Sequence, residues 1–296
     1  MNERYGGIET GGSWCVCALG TGPDRLETVE KFPTAEPRET VARITGFFER
    51  HARPRAIGVA GFGPIELDTG SPSWGTLGAT PKPGWTGWPL GPSLRDALQL
   101  PIALETDVGA AALGEQRWGA GRGCDSLCYL TVGTGIGAGL VIDGTPVHGL
   151  MHPEVGHIRI PHDRDRDPFA GACPFHGDCW EGLAAGPAIA ARWGAAGDRL
   201  ADDHPAWGLE ADYVALGIVT IVLIASPQRV IVGGGVMQRP GLVARVTARV
   251  AQLLAGYPPG PRIAADPGYV TGPELGDEAG VLGAIALVAP GEPRSS

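Results

Sequence analysis

Lysine is almost missing from this chain of 296 residues, which has only Lys31 and Lys82. Neither follows a glycine, so there is no Gly-Lys-Ser/Thr phosphate loop and no lysine motif of the protein-kinase kind. The net charge is -9, and no basic stripe of the sort that holds nucleic acid or anionic lipid is present. No run of 18 apolar residues occurs, and the chain enters Tyr5-Gly6-Gly7-Ile8 without a charged and then apolar leader. A cytoplasmic protein with no nucleic-acid and no membrane partner is expected. Cysteine is scarce as well: of six, Cys15, Cys17, Cys124 and Cys128 stand in apolar, strand-like contexts and read as reduced core residues.

What is abundant is glycine, 48 residues, placed at strand ends rather than in a low-complexity tract. Residues 5 to 9 and 13 to 20 read as strands around the turn Glu9-Thr10-Gly11-Gly12-Ser13, and 25 to 32 as a third. Pro37 opens a helix to about His51 with Val41, Ile44, Phe47 and Phe48 on one face, and Arg55 to Ala60 is a buried strand. The stretch from Phe62 to Leu100 is rich in Gly, Pro, Ser and Trp and reads as a long surface connection. A strand at Ile102 to Glu105 leads into a helix from Asp107 to about Trp118.

A second strand pair, Leu127 to Val132 and Ala138 to Ile142, encloses Gly133-Thr134-Gly135-Ile136-Gly137. Its likeness to the first pair, about 125 residues earlier, implies a duplicated α/β unit, two lobes facing each other across a cleft. Helices from Pro187, from Glu210 to Ala225, from about Pro240 to Leu254 and from Asp277 to Val288 follow, with a strand at Arg229 to Val232 ending in Gly233-Gly234-Gly235. Residues 1–108 form the expected small lobe. Residues 109–296 form the large one, with the last helix, 277–288, able to pack on the small lobe.

Within the large lobe lie His157, Cys173, His176 and Cys179, four nitrogen and sulfur donors whose spacing suits a closed, structural tetrahedral zinc site. The interval between His157 and Cys173 carries Arg164, Asp165, Arg166 and Asp167 and reads as a solvated loop closed by the metal. The alternative is a Cys173–Cys179 disulfide or two unrelated thiols. Glu154 and Glu181 flank the ligands and offer acceptors to a polyhydroxylated molecule, or are solvated surface residues. Glycine turns after strands expose backbone N–H groups to an anion, so both Gly/Thr loops are candidate phosphate binders, each alone also readable as a plain hairpin turn. Asp107, following a strand and starting a helix, is a candidate general base or a helix N-cap.

Taken together, Gly6-Gly7-Ile8-Glu9-Thr10-Gly11-Gly12-Ser13, Gly61-Phe62-Gly63-Pro64-Ile65, Thr80-Pro81-Lys82-Pro83-Gly84-Trp85, Glu105-Thr106-Asp107-Val108, Gly133-Thr134-Gly135-Ile136-Gly137, Glu154-Val155-Gly156-His157, Cys173-Pro174-Phe175-His176-Gly177-Asp178-Cys179-Trp180-Glu181 and Val232-Gly233-Gly234-Gly235 resemble the ROK sugar kinases, most closely their fructokinase branch. The resemblance implies an α/β, two-lobed, actin-like ATPase (ribonuclease H-like) fold with a zinc-bound loop, 157–181, and phosphorylation of a hexose at O6, fructose first. It implies Asp107 as base, and Glu154, His157, Glu181 and Gly63 at the sugar. Gly11, Gly12, Ser13, Thr134 and Gly135 would hold the phosphates of ATP, with Gly234 and Gly235 at the adenosine and Pro187 lining the nucleotide side. Mg2+, Zn2+ and a homodimer are implied too.

Three positions depart from the family pattern: Trp14 where Lys or Arg often stands, Thr106 where the glucokinases carry Asn, and Gly109 where Asn is frequent. Alternatives within catalysis are a glucokinase or mannokinase. Outside it stands a non-catalytic sugar sensor. The family's transcription repressors need an N-terminal helix-turn-helix, and with the first loop beginning by residue 9 a repressor is not expected.

Overall fold

The computed structural model describes residues 3–290. In chain order it contains β1 (Tyr5–Thr10), β2 (Trp14–Gly20), β3 (Leu26–Pro33), α1 (Pro37–Arg50), β4 (Ile57–Gly61), α2 (Leu90–Leu98), β5 (Ile102–Thr106), α3 (Asp107–Trp118), β6 (Leu127–Val132), β7 (Ile136–Ile142), β8 (Thr145–Pro146), α4 (Trp180–Ala184), α5 (Gly186–Trp193), α6 (Ala206–Ala225), β9 (Arg229–Gly233), α7 (Leu242–Leu254), α8 (Gly260–Ala265), β10 (Val270–Thr271) and α9 (Ala279–Val288). The chain divides into two compact units. Unit 1 holds the described residues up to Arg122, Thr145–His152 and those from Leu275 onward; unit 2 holds Gly123–Gly144 and Pro153–Glu274. Helix α3 therefore lies in unit 1, not beyond a boundary at residue 108.

The sheet of unit 1 runs β3-β2-β1-β4-β5, with β1, β4 and β5 parallel and β2 and β3 antiparallel to their neighbours. Strand side chains alternate between faces. Ile8, Cys15, Cys17, Phe32 and Val59 meet one layer, built by Ile44 and Phe47 of α1 and Leu90 and Leu94 of α2. On the other face Gly7, Ala18, Gly58 and Ala60 are small, and α9 lies almost on the strand backbone. A Cβ at Gly58 would stand 1.7 Å from the carbonyl oxygen of Ala284, and one at Gly7 2.6 Å from that of Val281. Helix α9 meets α3 as tightly, since a Cβ on Gly283 would be 1.8 Å from the Ala110 carbonyl oxygen.

The stretch from Phe62 to Leu100 is not a surface connection. Leu77 and Trp85 are buried, the Trp85 indole donates to the Ala35 carbonyl at 3.0 Å, and α2 closes over the core. Leu90, Leu94 and Leu98, spaced by four, carry the helical signal that the surrounding Gly and Pro obscure.

In unit 2 the strands β10-β9-β6-β7 repeat the order of β5-β4-β1-β2: an antiparallel hairpin whose first strand is parallel to a later one. The duplicated unit expected from the two Gly/Thr turns is thus present in the strand order. Helix α6 is long and apolar enough to cross a membrane by length and composition. Its Trp207, Ala211, Val214, Ile218 and Val222 are buried in the core of unit 2, as in a central helix of a globular domain. There Gly217 lets Trp180 lie flat on α6, where a Cβ would stand 2.2 Å from the ring.

Substituting Gly58→Ala should lower stability by about 2–3 kcal/mol, because neither the strand nor α9 can retreat from the added methyl. Gly208→Ala, exposed in α6 with open space at its Cβ, should raise it by up to about 1 kcal/mol. Urea denaturation of the two variants checks both directions.

Candidate active site

Unit 1 brings its predicted site residues to the carboxyl ends of three adjacent parallel strands, where open α/β sheets receive ligands. Thr10, Gly61 and Thr106 stand in one register row across β1, β4 and β5. The next residues along each chain lead to Gly11–Ser13, Gly63 and Asp107. The first loop is held by its own backbone: Gly11 N–H donates to the Trp14 carbonyl at 2.8 Å, and Thr34 N–H to that of Ser13 at 2.9 Å. Thr34 Oγ1 donates to the Gly11 carbonyl at 2.7 Å. Gly12 and Ser13 are exposed.

At the start of α3 the capping acceptor is Thr106, whose Oγ1 takes the Gly109 N–H at 3.0 Å. The capping role open to Asp107 in the sequence thus belongs to its neighbour. Asp107 occupies the first turn, half-buried, with Oδ1 accepting the Val108 N–H at 2.9 Å, where the helix dipole favours a carboxylate. Beneath it, buried Glu105 accepts from Thr106 N–H at 2.8 Å and faces His148 Nε2 at 2.8 Å. The carboxylate raises the pKa of His148. Gly109, where Asn is frequent in the family, leaves little space for a side chain: a Cβ there would lie 2.5 Å from Glu105 Oε1. Gly63 lies beside buried His152, whose Nε2 accepts the Ile65 N–H at 3.2 Å.

Glu9, just ahead of the first loop, is a site residue that sequence reasoning leaves without a role. Its carboxyl sits at the start of α9, with a Cβ on Gly280 placed 2.4 Å from Cδ, and its Oε2 is buried. Burial, then Asp107, push its pKa up to about 7, against a Val281 N–H and Lys31, which lower it. An acid between a buried strand and a glycine turn was the available signal.

Unit 2 assembles the remaining predicted residues. Gly133–Gly135 follows β6, and Gly234 and Gly235 follow β9, whose Gly233 is paired with Thr131. Gly234 has φ +91°, and a Cβ there would stand 2.4 Å from the Val132 carbonyl oxygen, so this turn requires glycine. Gly186 N–H donates to the Gly133 carbonyl at 2.7 Å, bringing the start of α5 with exposed Pro187 to the same loop. Glu181 Oε2 accepts the Ile136 N–H at 3.0 Å, so this carboxylate is fixed to the glycine loop rather than solvated. Thr134 is exposed, as is Glu154, whose carbonyl caps the short turn Val155–His157.

His157, Cys173, His176 and Cys179 converge, their ligand atoms all within 4.8 Å of one another. Cys173 Sγ is 3.8 Å from Nδ1 of His157 and 3.7 Å from Nδ1 of His176; Cys179 Sγ is 3.6 Å from Nδ1 of His157. Zinc with bonds of roughly 2.3 Å to sulfur and 2.0–2.1 Å to nitrogen spans a tetrahedral edge of about 3.6 Å, so the donor set fits that ion. Both cysteines are free thiols, which disposes of the disulfide. Cys15, Cys17 and Cys128 are buried thiols, and Cys124 is a half-buried one outside any disulfide.

The loop between His157 and Cys173 is not simply solvated. Asp167 is buried, accepting from Tyr213 Oη at 2.6 Å and Arg192 Nε at 3.1 Å, and His162 is bonded to the Asp167 carbonyl at 2.9 Å. Partners on α5 and α6 draw the aspartate inward, a pairing that a charge pattern by itself does not reveal.

The model of the ROK family matches residues 5–290. A fructokinase from Zymomonas mobilis is 42% identical over 297 residues, covering 97% of each chain. The chain belongs to the ROK family. A glucokinase relative from Halalkalibacterium halodurans is more distant, 28% identical over 97% of this chain and 96% of that protein. Among solved structures, a ROK hexokinase from Thermus thermophilus superposes with a TM-score of 0.77 at 27% identity, covering 96% of this chain and 97% of that one. For this ROK protein the α/β, actin-like fold implied by the motifs is the fold observed.

Glu9 gives the site a pH signature. Its folded-state pKa of about 7 lies above the ordinary carboxyl value, so the native state holds the extra proton and stability falls as pH rises from about 4.5 through about 7. Glu9→Gln removes the buried charge. It should be more stable than the wild type at pH 8 by up to about 3 kcal/mol, with the gap closing towards pH 4.5; urea midpoints across that range measure it.

Proposed function

We propose that this ROK protein is an ATP-dependent fructokinase that converts D-fructose to D-fructose 6-phosphate. The observation that carries this is the start of α3, where Thr106 takes the cap and leaves Asp107 as a carboxylate at the end of β5, in the strand row that also leads to the first glycine loop. Asp107 accepts the proton of the sugar hydroxyl while its oxygen bonds to the γ-phosphorus and the bond to the β–γ bridging oxygen breaks, releasing ADP. Glu154, His157 and Glu181 hold sugar hydroxyls, and Gly63 lies along the sugar. The Gly11–Ser13 loop, through the N–H groups of Gly12 and Ser13, with Thr134 and Gly135, holds phosphate oxygens; Gly234, Gly235 and Pro187 take the nucleoside side. Mg2+, when bound with the nucleotide, would supply positive charge to the phosphates.

Zinc at His157, Cys173, His176 and Cys179 has a structural part. The four ligands leave no open position, and with Nδ1 of His157 turned to the thiols, its Nε2 is left for a sugar hydroxyl. Higher identity to the fructokinase relative than to the glucokinase supports fructose as the substrate.

With MgATP, ADP release should depend on fructose and be well above that with glucose or mannose; absence of release with every sugar, from folded and zinc-loaded protein, would point to a sensor. Asp107→Asn should lower kcat by about 10²–10⁴-fold with little change in the KM for fructose.

The metal is tested separately. Cys173→Ser should lose stoichiometric zinc by elemental analysis and raise the KM for fructose about tenfold or more, leaving that for ATP nearly unchanged.

A further inference from the structure

The first glycine loop ends on Trp14, the position where this family often places a lysine or arginine, and the pairing of β2 with β3 brings a cation to that place from elsewhere in the chain. Val16 is paired with Lys31 and Trp14 with Pro33, so Trp14 and Lys31 are diagonal neighbours on one face of the sheet. The Lys31 ammonium lies over the Trp14 indole, 5.5 Å from the ring centre, and both side chains are exposed. The strand that carries Lys31 is bonded to the loop itself through Thr34, whose Oγ1 donates to the Gly11 carbonyl at 2.7 Å and whose N–H donates to that of Ser13 at 2.9 Å.

The two lysines differ in employment. Lys82 Nζ is engaged with the Thr34 carbonyl at 2.8 Å, whereas Lys31 forms no ion pair among the described residues. Glu9, Val16 and Lys31 form one row across β1, β2 and β3, on the face covered by α3 and α9. The Glu9 carboxyl feels both charges, Asp107 raising its pKa and Lys31 lowering it.

We propose that Lys31 is a phosphate-binding residue: its ammonium contacts the terminal phosphates of the nucleotide at the Gly11–Ser13 loop, replacing from the adjacent strand the cation missing at position 14. Trp14 is the platform that holds the long side chain over the loop. The inference rests on the nucleotide-binding reading above and adds to it a specific cation.

Calorimetric titration with the Mg2+ complex of a non-hydrolysable β,γ-imido ATP analogue, with adenosine as the phosphate-free control, tests it. Lys31→Met should weaken the analogue about ten- to hundredfold and leave adenosine unchanged, the loss of one charge-assisted hydrogen bond. Lys31→Arg should retain most of the affinity. The double variant Lys31→Met with Trp14→Lys should recover much of the loss, since it returns a cation to the loop. In turnover, Lys31→Met should raise the KM for ATP and spare that for fructose. Analogue binding by Lys31→Met equal to the wild type overturns the proposal while the kinase reading stands; a wild type that binds neither analogue nor adenosine overturns both.

Discussion

The approach of α9 to the glycines of β1 and β4 sets much of unit 1. With Ala284 and Val281 carbonyls lying where Cβ atoms would be, the helix cannot slide or tilt without opening a gap over the sheet. Its first turn presents the Val281 N–H to the Glu9 carboxyl, and its glycine at 283 receives α3. The position of Asp107 at the start of α3 therefore follows from a helix that comes about 170 residues later in the chain. Small residues, not large ones, fix that geometry: a bulky face would allow many packings, whereas backbone-on-backbone contact allows one.

Unit 2 solves the same problem with a different anchor. Trp180 is pressed on Gly217 of α6, and from this fixed point Cys179 and Glu181 reach in two directions, one to the histidine and cysteine cluster and the other to the Ile136 N–H of the glycine loop. A ligand set and a loop that look separate in sequence are thereby tied to one short helix. Glu181 links the cluster to the loop by covalent chain and one hydrogen bond.

The chemistry of this chain is economical in lysine. With two lysines, one of them bonded to a carbonyl, positive charge at the first loop comes from a side chain on a neighbouring strand. Glu9 is the counterpart, a carboxyl whose burial and proximity to Asp107 hold it near its point of titration at neutral pH.

Strand pairs, their glycine turns, the helices with clean periodicity and the four-ligand cluster were legible from the residues because each is a local pattern: period two, period 3.6 or donor spacing. Motif content likewise named the family. What pattern could not supply was anything decided by residues distant in sequence. The burial of Trp85 and α2, hidden among Gly and Pro, depends on β3, β4 and α1; the inward turn of Asp167 depends on Tyr213 and Arg192; the inclusion of α3 in unit 1 depends on α9. The cap at Thr106, which releases Asp107 from that role, is settled by one hydroxyl geometry. The sequence determined which chemical groups exist and in what local elements they sit. Tertiary structure alone decided which of them meet, because charge pairing and close packing act through space between chain segments whose separation no local pattern encodes.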